Sequence, residues 1–401
     1  MVQRALISGA GVAGIVAGWW LTRYGWECTL VERFPAIRTG GQNIDLRGAA
    51  RDVLRRMHLD EEVGARGTGE VGTRFVDEDD RSVGEFVAGM SDSDGATAER
   101  EILRGQLVGL LYERTRDAVD YPFGTWIERL DGPAPGRGRS DGRLPVELSS
   151  GQHEDVDVVI IAEGIGSNTR EQLGEAAFGP VRRRELGVSI AYFSIDRPDT
   201  DDDWWRWYNA AGGRAATLRP DNVGRQRATL SMRTAPVARD PRVIECFADR
   251  FRDAGWETPR LVDGLLRSDD VYVDDVAQIM APRWSAGRAV LVGDAAYCPS
   301  PVSGMGASLA VVGAYVLAGE LATRPDVGQA LDSYEQVMRP YVDKAQQLPP
   351  GAPGIMHPRS TLGVSALRTA FRLAASGPLR RFEQTLFRPP ADRIELPTYR
   401  R

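Results

Sequence analysis

Three glycines near the start of the chain, Gly9, Gly11 and Gly14, constrain its fold more than any other feature. They lie in GAGVAG, between an apolar strand-like run (5–9) and an apolar helical stretch (12–25). The first glycine permits a tight turn, the second lets the backbone approach a pyrophosphate, and the third allows close helix–strand packing. This spacing predicts a dinucleotide site at the N-terminus of the helix, where unpaired amides favour an anion.

A second strand, ECTLVER (27–33), follows the helix and completes a β-α-β unit. It carries Glu32 near its end, where a carboxylate accepts hydrogen bonds from an adenosine ribose. The alternative is a tight strand–helix turn without a ligand.

A second glycine-containing turn lies in VLVGDAAYCPSPVSGMG (290–306). A buried strand delivers Asp294 to its carboxyl end, where α/β sheets bind ligands and where a carboxylate can bind a polyol hydroxyl. Gly304 and Gly306 then open a helix whose N-terminal amides favour a negatively charged group, such as the pyrimidine end of a reduced flavin. A plain strand–turn–helix connection would need fewer glycines and prolines.

The composition is that of an ordinary soluble protein, and we expect a cytoplasmic location. The 401 residues are 42% apolar and 26% charged, and the net charge is −6, so we expect neither nucleic-acid binding nor stable membrane association. Lys344 is the single lysine among 50 basic residues, which leaves 49 arginines. The three cysteines form no CxxC pattern, so we expect no metal site.

The order of apolar runs predicts an α/β fold in which a mainly antiparallel sheet is inserted into a three-layer, Rossmann-type domain. The runs 156–164 and 288–296 are typical of buried parallel strands. We expect a discontinuous nucleotide-binding domain (1–72, 99–183 and 275–325), a substrate-binding sheet domain (73–98 and 184–274) and a C-terminal helical segment (326–401). Helices are predicted over 45–63, 101–115, 241–255, 304–323, 327–345 and 361–387.

GAGVAG and GDAAYCPSPVSGMG, with VVIIAEGIGSNTR (158–170) between them, resemble the single-component, group A FAD-dependent monooxygenases. The chain is similar to para-hydroxybenzoate hydroxylase and, in its length and its GGQNIDLRG segment, resembles most the tetracycline-inactivating hydroxylases. The resemblance implies FAD, with NADPH or NADH as a transient cosubstrate, and dioxygen. It further implies a flavin hydroperoxide that hydroxylates an aromatic, enolic or polyketide-like molecule, in antibiotic biosynthesis or modification, by a monomer or homodimer.

The same resemblance implies the cofactor-binding residues. They are Gly9, Gly11, Ala13, Gly14, Glu32, Arg33, Arg47, Arg104, Gly164, Asp294, Pro301, Gly304, Met305 and Gly306. For Arg47 and Arg104 the alternative is a solvated surface charge. The chain departs from the family pattern at Glu163, where an aspartate is usual, which puts the local geometry and nicotinamide handling in question. Tyr297 also replaces a frequent histidine.

Substrate contacts are expected on the inserted sheet, where alternate residues share a face. Either Tyr192 with Ile190 or Met232 with Leu230 could line an apolar pocket, with WWRWYN (204–209) at its rim; packing within the sheet core is the alternative.

No catalytic residue is assigned, because none of the three histidines is well placed to act as a base. His58 lies late in a helix, His153 in a polar loop and His357 in the tail. We therefore expect a substrate that is already enolic or easily ionised.

Three other functions share parts of this sequence pattern. A flavin-dependent halogenase needs a catalytic lysine and WxWxIP, whereas here Tyr208 and Asn209 follow Trp207. A non-enzymatic scaffold has little need of residues 293–306. A non-redox protein of the same fold, such as a biosynthetic cyclase, stays open as the alternative.

Overall fold

The computed structural model describes residues 2–87, 101–130, 142–376 and 394–399. Within these residues the strands form a five-stranded sheet, here called the parallel sheet, a seven-stranded sheet, here called the large sheet, and two smaller ladders. The strands are β1 (Arg4–Ser8), β2 (Glu27–Val31), β3 (Asn43–Asp45), β4 (Gly72–Val76), β5 (Ser82–Val87), β6 (Glu101–Leu103), β7 (Ile127–Leu130), β8 (Leu144–Leu148), β9 (His153–Val156), β10 (Val158–Ile161), β11 (Arg182–Asp196), β12 (Trp204–Ala210), β13 (Arg214–Pro220), β14 (Arg225–Arg233), β15 (Tyr272–Met280), β16 (Ser285–Ala286) and β17 (Ala289–Leu291).

The helices lie between and around these sheets, together with short 3₁₀ turns at Pro301–Ser303 and Gly354–Met356. They are α1 (Val12–Arg23), α2 (Ala49–Arg56), α3 (Asp60–Ala65), α4 (Arg104–Glu113), α5 (Asn168–Phe178), α6 (Val243–Phe251), α7 (Thr258–Arg267), α8 (Asp294–Tyr297), α9 (Gly306–Thr323), α10 (Val327–Ala345) and α11 (Thr361–Ala375).

The parallel sheet has the order β16-β17-β10-β1-β2, and its strands from β17 to β2 run parallel. The continuous apolar runs therefore form the buried parallel strands that the sequence predicts. All four carboxyl ends meet at one edge, so the turns after β1, β2, β10 and β17 gather there.

Helix α9 packs against α1 and α10 in the core beside this sheet. It is long and apolar enough to cross a membrane, but 78% of its apolar window is buried inside the protein. Its hydrophobicity thus serves the core beside the parallel sheet.

The large sheet has the order β15-β11-β14-β13-β12-β4-β5 and is antiparallel except between β12 and β4. Helices α6 and α7 cover one face, here called the outer face, around Phe247, Phe251 and Leu261. The opposite face is here called the inner face. The predicted domain boundaries at 184 and 274 fall inside β11 and β15, and the division into domains stays a proposal.

Local structure differs from the predicted helices at two places. The predicted helix 45–63 begins only at Ala49, because Asp45 of β3 pairs with Glu101, and it is divided where His58 adopts a left-handed φ of 57° between α2 and α3. The predicted helix 101–115 begins only at Arg104, because residues 101–103 pair with β3. Helix α10 has the predicted bounds, and much of the predicted helix 361–387 lies outside the described residues, as does the loop 131–141.

Candidate cofactor and substrate site

The turn after β1 is set by steric contacts that only glycine allows. A Cβ atom on Gly9, where φ is 108°, would lie 2.6 Å from the Ala162 carbonyl oxygen, and one on Gly14 would overlap the carbonyl oxygen of Gly9. At Gly11 an added Cβ would meet no protein atom within 4 Å. Close packing therefore requires glycine at positions 9 and 14, whereas Gly11 leaves an open space above the turn.

This open space lies at the N-terminus of α1. Gly11 is the N-cap, no side chain caps it, and no acidic residue lies in the first turn. The first amides of the helix thus face the open space and favour a phosphate. Ala13 lies in this turn, and a Cβ on Gly293 would contact its side chain at 3.1 Å, so the two glycine turns touch.

The end of β2 is bound to the glycine turn by Glu32. Its Oε2 accepts a hydrogen bond from the Ala10 amide at 2.8 Å, and its Oε1 accepts one from the Phe34 amide at 3.0 Å. Arg33 is exposed, and its guanidinium lies 5.0 Å from the centre of the Phe34 ring. Glu32 is thus held at the mouth of the turn, while Arg33 lies at its outer margin.

Asp294 begins α8 directly after β17. A Cβ on Gly306 would lie 3.9 Å from its Oδ1, so the carboxyl faces the start of α9. Burial raises the pKa of Asp294, while Cys298 and the charge of Arg104 lower it. Gly304 is left-handed, with φ 63°, and the buried Met305 caps α9 without a side-chain hydrogen bond. Pro301, in the preceding 3₁₀ turn, is exposed.

Of the two predicted arginines, Arg47 is buried and Arg104 is half-buried. Arg47 is 2% exposed, donates to Asp45 Oδ2 at 2.8 Å, and its amide donates to Ser308 Oγ at 3.2 Å in α9. Burial lowers the pKa of Arg104, which the neighbouring charge of Arg38 lowers further and Asp294 raises. The alternative of a solvated surface charge is therefore wrong for Arg47, and Arg104 lies within electrostatic reach of Asp294.

Glu163 joins β1 to α5 through hydrogen bonds. Its carboxylate accepts hydrogen bonds from Ser8 Oγ at 2.5 Å, Ser167 Oγ at 2.7 Å, the Thr169 amide at 2.9 Å and Thr169 Oγ1 at 2.5 Å. Gly164 follows with φ 79° and open space beside it. The longer side chain thus has a structural use behind the cofactor turn.

These residues fit FAD. The open space at Gly11 and the uncapped start of α1 suit a pyrophosphate, Glu32 suits a ribose, and Asp294 suits the ribityl chain. The uncapped start of α9 suits the flavin ring.

The inner face of the large sheet turns toward this cofactor edge. Strand register places Tyr192, Thr229, Thr217 and Trp207 in one row, and the Thr217 and Thr229 hydroxyls are 2.7 Å apart. Tyr272 follows in the same row, with its ring centre 6.2 Å from that of Tyr192.

The Tyr272 side chain lies within electrostatic reach of the predicted cofactor residues Arg104 and Asp294. Burial raises the pKa of Tyr272, with smaller contributions from Asp274, Arg104, Arg38 and Asp294. The inner face thus lies opposite the edge where FAD fits.

Met232 lies on the outer face, so the alternative in which Met232 and Leu230 line the substrate pocket is wrong. It is 5% exposed and packs, with Leu230, in the core beneath α6 and α7. The two predicted pairs belong to opposite faces because Tyr192 is in register with Thr229 rather than with Leu230 or Met232. Trp205 and Trp207, from the predicted rim, have the parity of the inner face.

Sequence reasoning missed Asp274, which has the inner-face parity of Tyr272. Burial raises its pKa to about 6; Arg183 lowers the pKa, and Asp275 and Asp294 raise it. The alternation of residues in YVDDV could have indicated this, but the sequence analysis ended the sheet domain at residue 274.

His357 is buried, with Nε2 2.8 Å from Ser231 Oγ and Nδ1 3.0 Å from the Pro353 oxygen. Among the described residues no group of His, Cys, Asp and Glu could hold a metal ion.

Comparison with known proteins agrees with this geometry. Residues 3–348 match the FAD binding domain family, and the chain belongs to this family. It is 32% identical to the FAD-dependent monooxygenase asL6 of Sarocladium schorii, over 100% of this chain and 98% of that protein. At the level of reaction class, the chain is thus an FAD-dependent monooxygenase.

Solved structures share the fold. The tetracycline destructase Tet(55) is 30% identical, with a TM-score of 0.76 and coverage of 99% of both chains. HpxO of Klebsiella pneumoniae, solved with FAD and uric acid, has a TM-score of 0.74 at 19% identity, covers 96% of this chain and 95% of its own, and shows the fold alone. The expected fold class and family are confirmed.

Proposed function

We propose that this protein is an NAD(P)H-dependent hydroxylase of a planar phenolic, enolic or polyketide-like molecule. The observation that carries the proposal is the row Tyr192–Thr229–Thr217–Trp207, which faces the edge that holds Arg104 and Asp294. Aromatic rings and hydroxyls suit a flat substrate with oxygen substituents. The name of the tetracycline destructase Tet(55), which is 30% identical to this chain, supports a substrate of this kind.

The residues of the chain would bind, orient and shield. The first amides of α1, Glu32 and Asp294 would hold FAD, which when bound supplies activation of dioxygen with electrons from a transient nicotinamide. Thr217, Thr229 and Tyr192 would orient the substrate against it. Phe371 of α11 stacks on Phe75 of the inner face, with ring centres 3.7 Å apart, and this pair would shield one side of the site from water.

The test begins with the purified full-length protein loaded with FAD. NADPH or NADH oxidation and dioxygen uptake are followed with tetracycline, uric acid and a hydroxyanthraquinone, and products are analysed by mass spectrometry. We expect at least one compound to stimulate NAD(P)H oxidation and to gain one oxygen atom. A protein that binds FAD but never oxidises NAD(P)H with any compound would contradict the proposal and favour the non-redox cyclase.

A further inference from the structure

A buried group of charged residues joins β13 of the large sheet to the β3–β6 ladder. This group, here called the acid cluster, comprises Asp45, Glu70 and Glu101 with Arg47 and Arg219. Asp45 and Glu101 are paired residues of the β3–β6 ladder, and Arg219 reaches them from β13. The side chains of Glu70 and Glu101 are 2% and 6% exposed.

Arg219 is held by all three carboxylates. Its Nε lies 2.5 Å from Glu70 Oε2, and its Nη2 contacts Glu101 Oε1 and lies 3.7 Å from Asp45 Oδ1. The other side of Asp45 binds Arg47 at 2.8 Å. Arg219 also lies 4.3 Å from the centre of the Trp205 ring, which completes its enclosure.

The charges of the acid cluster do not balance. Among the described residues three carboxylates face two guanidinium groups here, and a net negative charge in such a buried place is costly. Among the residues that the structure describes, Glu70 Oε1, Glu101 Oε1 and Asp45 Oδ1 are buried without a hydrogen-bond donor. A proton on Glu70, which is the most buried of the three side chains, would remove the net charge.

The electrostatics agree with this count. Burial raises the pKa of Glu70 to about 8; Arg219 opposes the shift, and Glu101 and Asp45 add to it. Burial also raises the pKa of Glu101, against Arg219. Burial alone would lower the pKa of Arg219, but Glu101, Glu70 and Asp45 raise it, so the arginine stays charged.

The acid cluster is continuous with the elements that hold the cofactor. Asp45 precedes Arg47 by two residues, and the Arg47 amide donates to Ser308 in the first turn of α9. Glu101 begins β6, which leads directly into Arg104 at the start of α4. The acid cluster therefore lies on the same short segments that lead to Ser308 and Arg104, beside the place where the flavin ring fits.

We propose that Glu70 carries a proton at neutral pH and that its ionisation places a net negative charge near the flavin, which makes the flavin harder to reduce. Glu70 would be a positioning residue that sets the charge around the cofactor and touches no substrate. This proposal rests on FAD binding and requires no turnover. The protonation of Glu70 can therefore be refuted while the proposed hydroxylase activity stands, and the hydroxylase activity can be refuted while the protonation of Glu70 stands.

The first test measures the FAD midpoint potential from pH 6.5 to 10 in the loaded wild-type protein, in Glu70→Gln and in the exposed control Glu175→Gln. Between pH 7 and 10 we expect the reduction equilibrium of the wild type and Glu175→Gln to fall at least tenfold more than that of Glu70→Gln. This is about 30 mV for a two-electron couple. Parallel curves for the wild type and Glu70→Gln would overturn the proposal.

The second test needs no variant that must fold. Infrared spectra of the loaded wild-type protein should contain a protonated-carboxyl band at pH 7 that disappears by pH 10. Its absence at pH 7 would overturn the proposal. Where the variants fold, the band should be lost in Glu70→Gln; its survival there with loss in Glu101→Gln would place the proton on Glu101 and overturn the assignment to Glu70.

Discussion

The parallel sheet and the inner face of the large sheet build their parts of the site in different ways. At the edge of the parallel sheet, the groups suited to bind the cofactor are mostly backbone groups, at Gly9, Gly11 and the uncapped starts of α1 and α9. On the inner face the groups are side chains, such as Tyr192 and Thr217. Backbone recognition demands glycine at fixed spacing and leaves a sequence signature, whereas side-chain recognition depends on which face each strand turns inward.

The largest effect is expected at Gly14, where packing and cofactor binding meet. Gly14→Ala would force a Cβ into the Gly9 carbonyl and should destabilise the protein by about 3 kcal/mol or more, with loss of FAD binding. Gly11→Ala is the matched control, because its Cβ meets no protein atom. It should cost less than about 1 kcal/mol while lowering FAD affinity at least tenfold. Thermal unfolding without FAD and FAD titration measure the two effects, and equal loss of stability in both variants would contradict this difference.

The two faces of the large sheet can be separated by a second pair of variants. Met232→Ala leaves a cavity beneath α6 and α7 and should destabilise the protein by about 2–4 kcal/mol in urea unfolding, with unchanged substrate KM. Tyr192→Phe should cost less than about 1 kcal/mol and raise the KM several-fold. A KM effect of Met232→Ala in protein that is still folded would refute the assignment of faces.

Glu163 tests whether a carboxylate behind the cofactor turn serves stability alone. Glu163→Asp is too short to reach both Ser8 and Thr169 and should cost about 1–2 kcal/mol. FAD affinity and NAD(P)H oxidation should change little, as measured by titration and initial rates. Normal stability with impaired NAD(P)H oxidation would instead assign Glu163 to nicotinamide handling.

The smallest effect concerns pH and Asp274. Because the folded-state pKa is raised to about 6, the folded protein binds more protons than the unfolded chain between about pH 4 and 6, so this group lowers stability as pH rises. Asp274→Asn should therefore match the wild type near pH 4 and exceed it by about 1–2 kcal/mol above pH 7, after allowance for solvent screening. The exposed control Asp269→Asn should open no such gap in thermal unfolding across this range. A gap already complete at pH 4 would exclude the raised pKa.

The sequence allowed the family and the fold class to be predicted because their determinants are local. The glycine spacing and the runs around Val158 and Val290 each act within a few residues, and the structure and the family match confirm them. The face of Met232 could not be obtained this way, since it depends on register between β11 and β14. The acid cluster brings Asp45, Glu101 and Arg219 together from three separate segments, so no local sequence pattern could predict it.

The parallel pairing of β4 with β12 ties the beginning of the chain to its middle. The pair Gly72–Trp204 joins strands that are far apart in the chain, and contacts of this long range slow folding. A fragment of residues 182–280, excised as a portable recognition module, would leave the edge of β12 open to pairing with other chains. Engineering of substrate preference therefore has to proceed within the whole chain, by substitution rather than by transplantation.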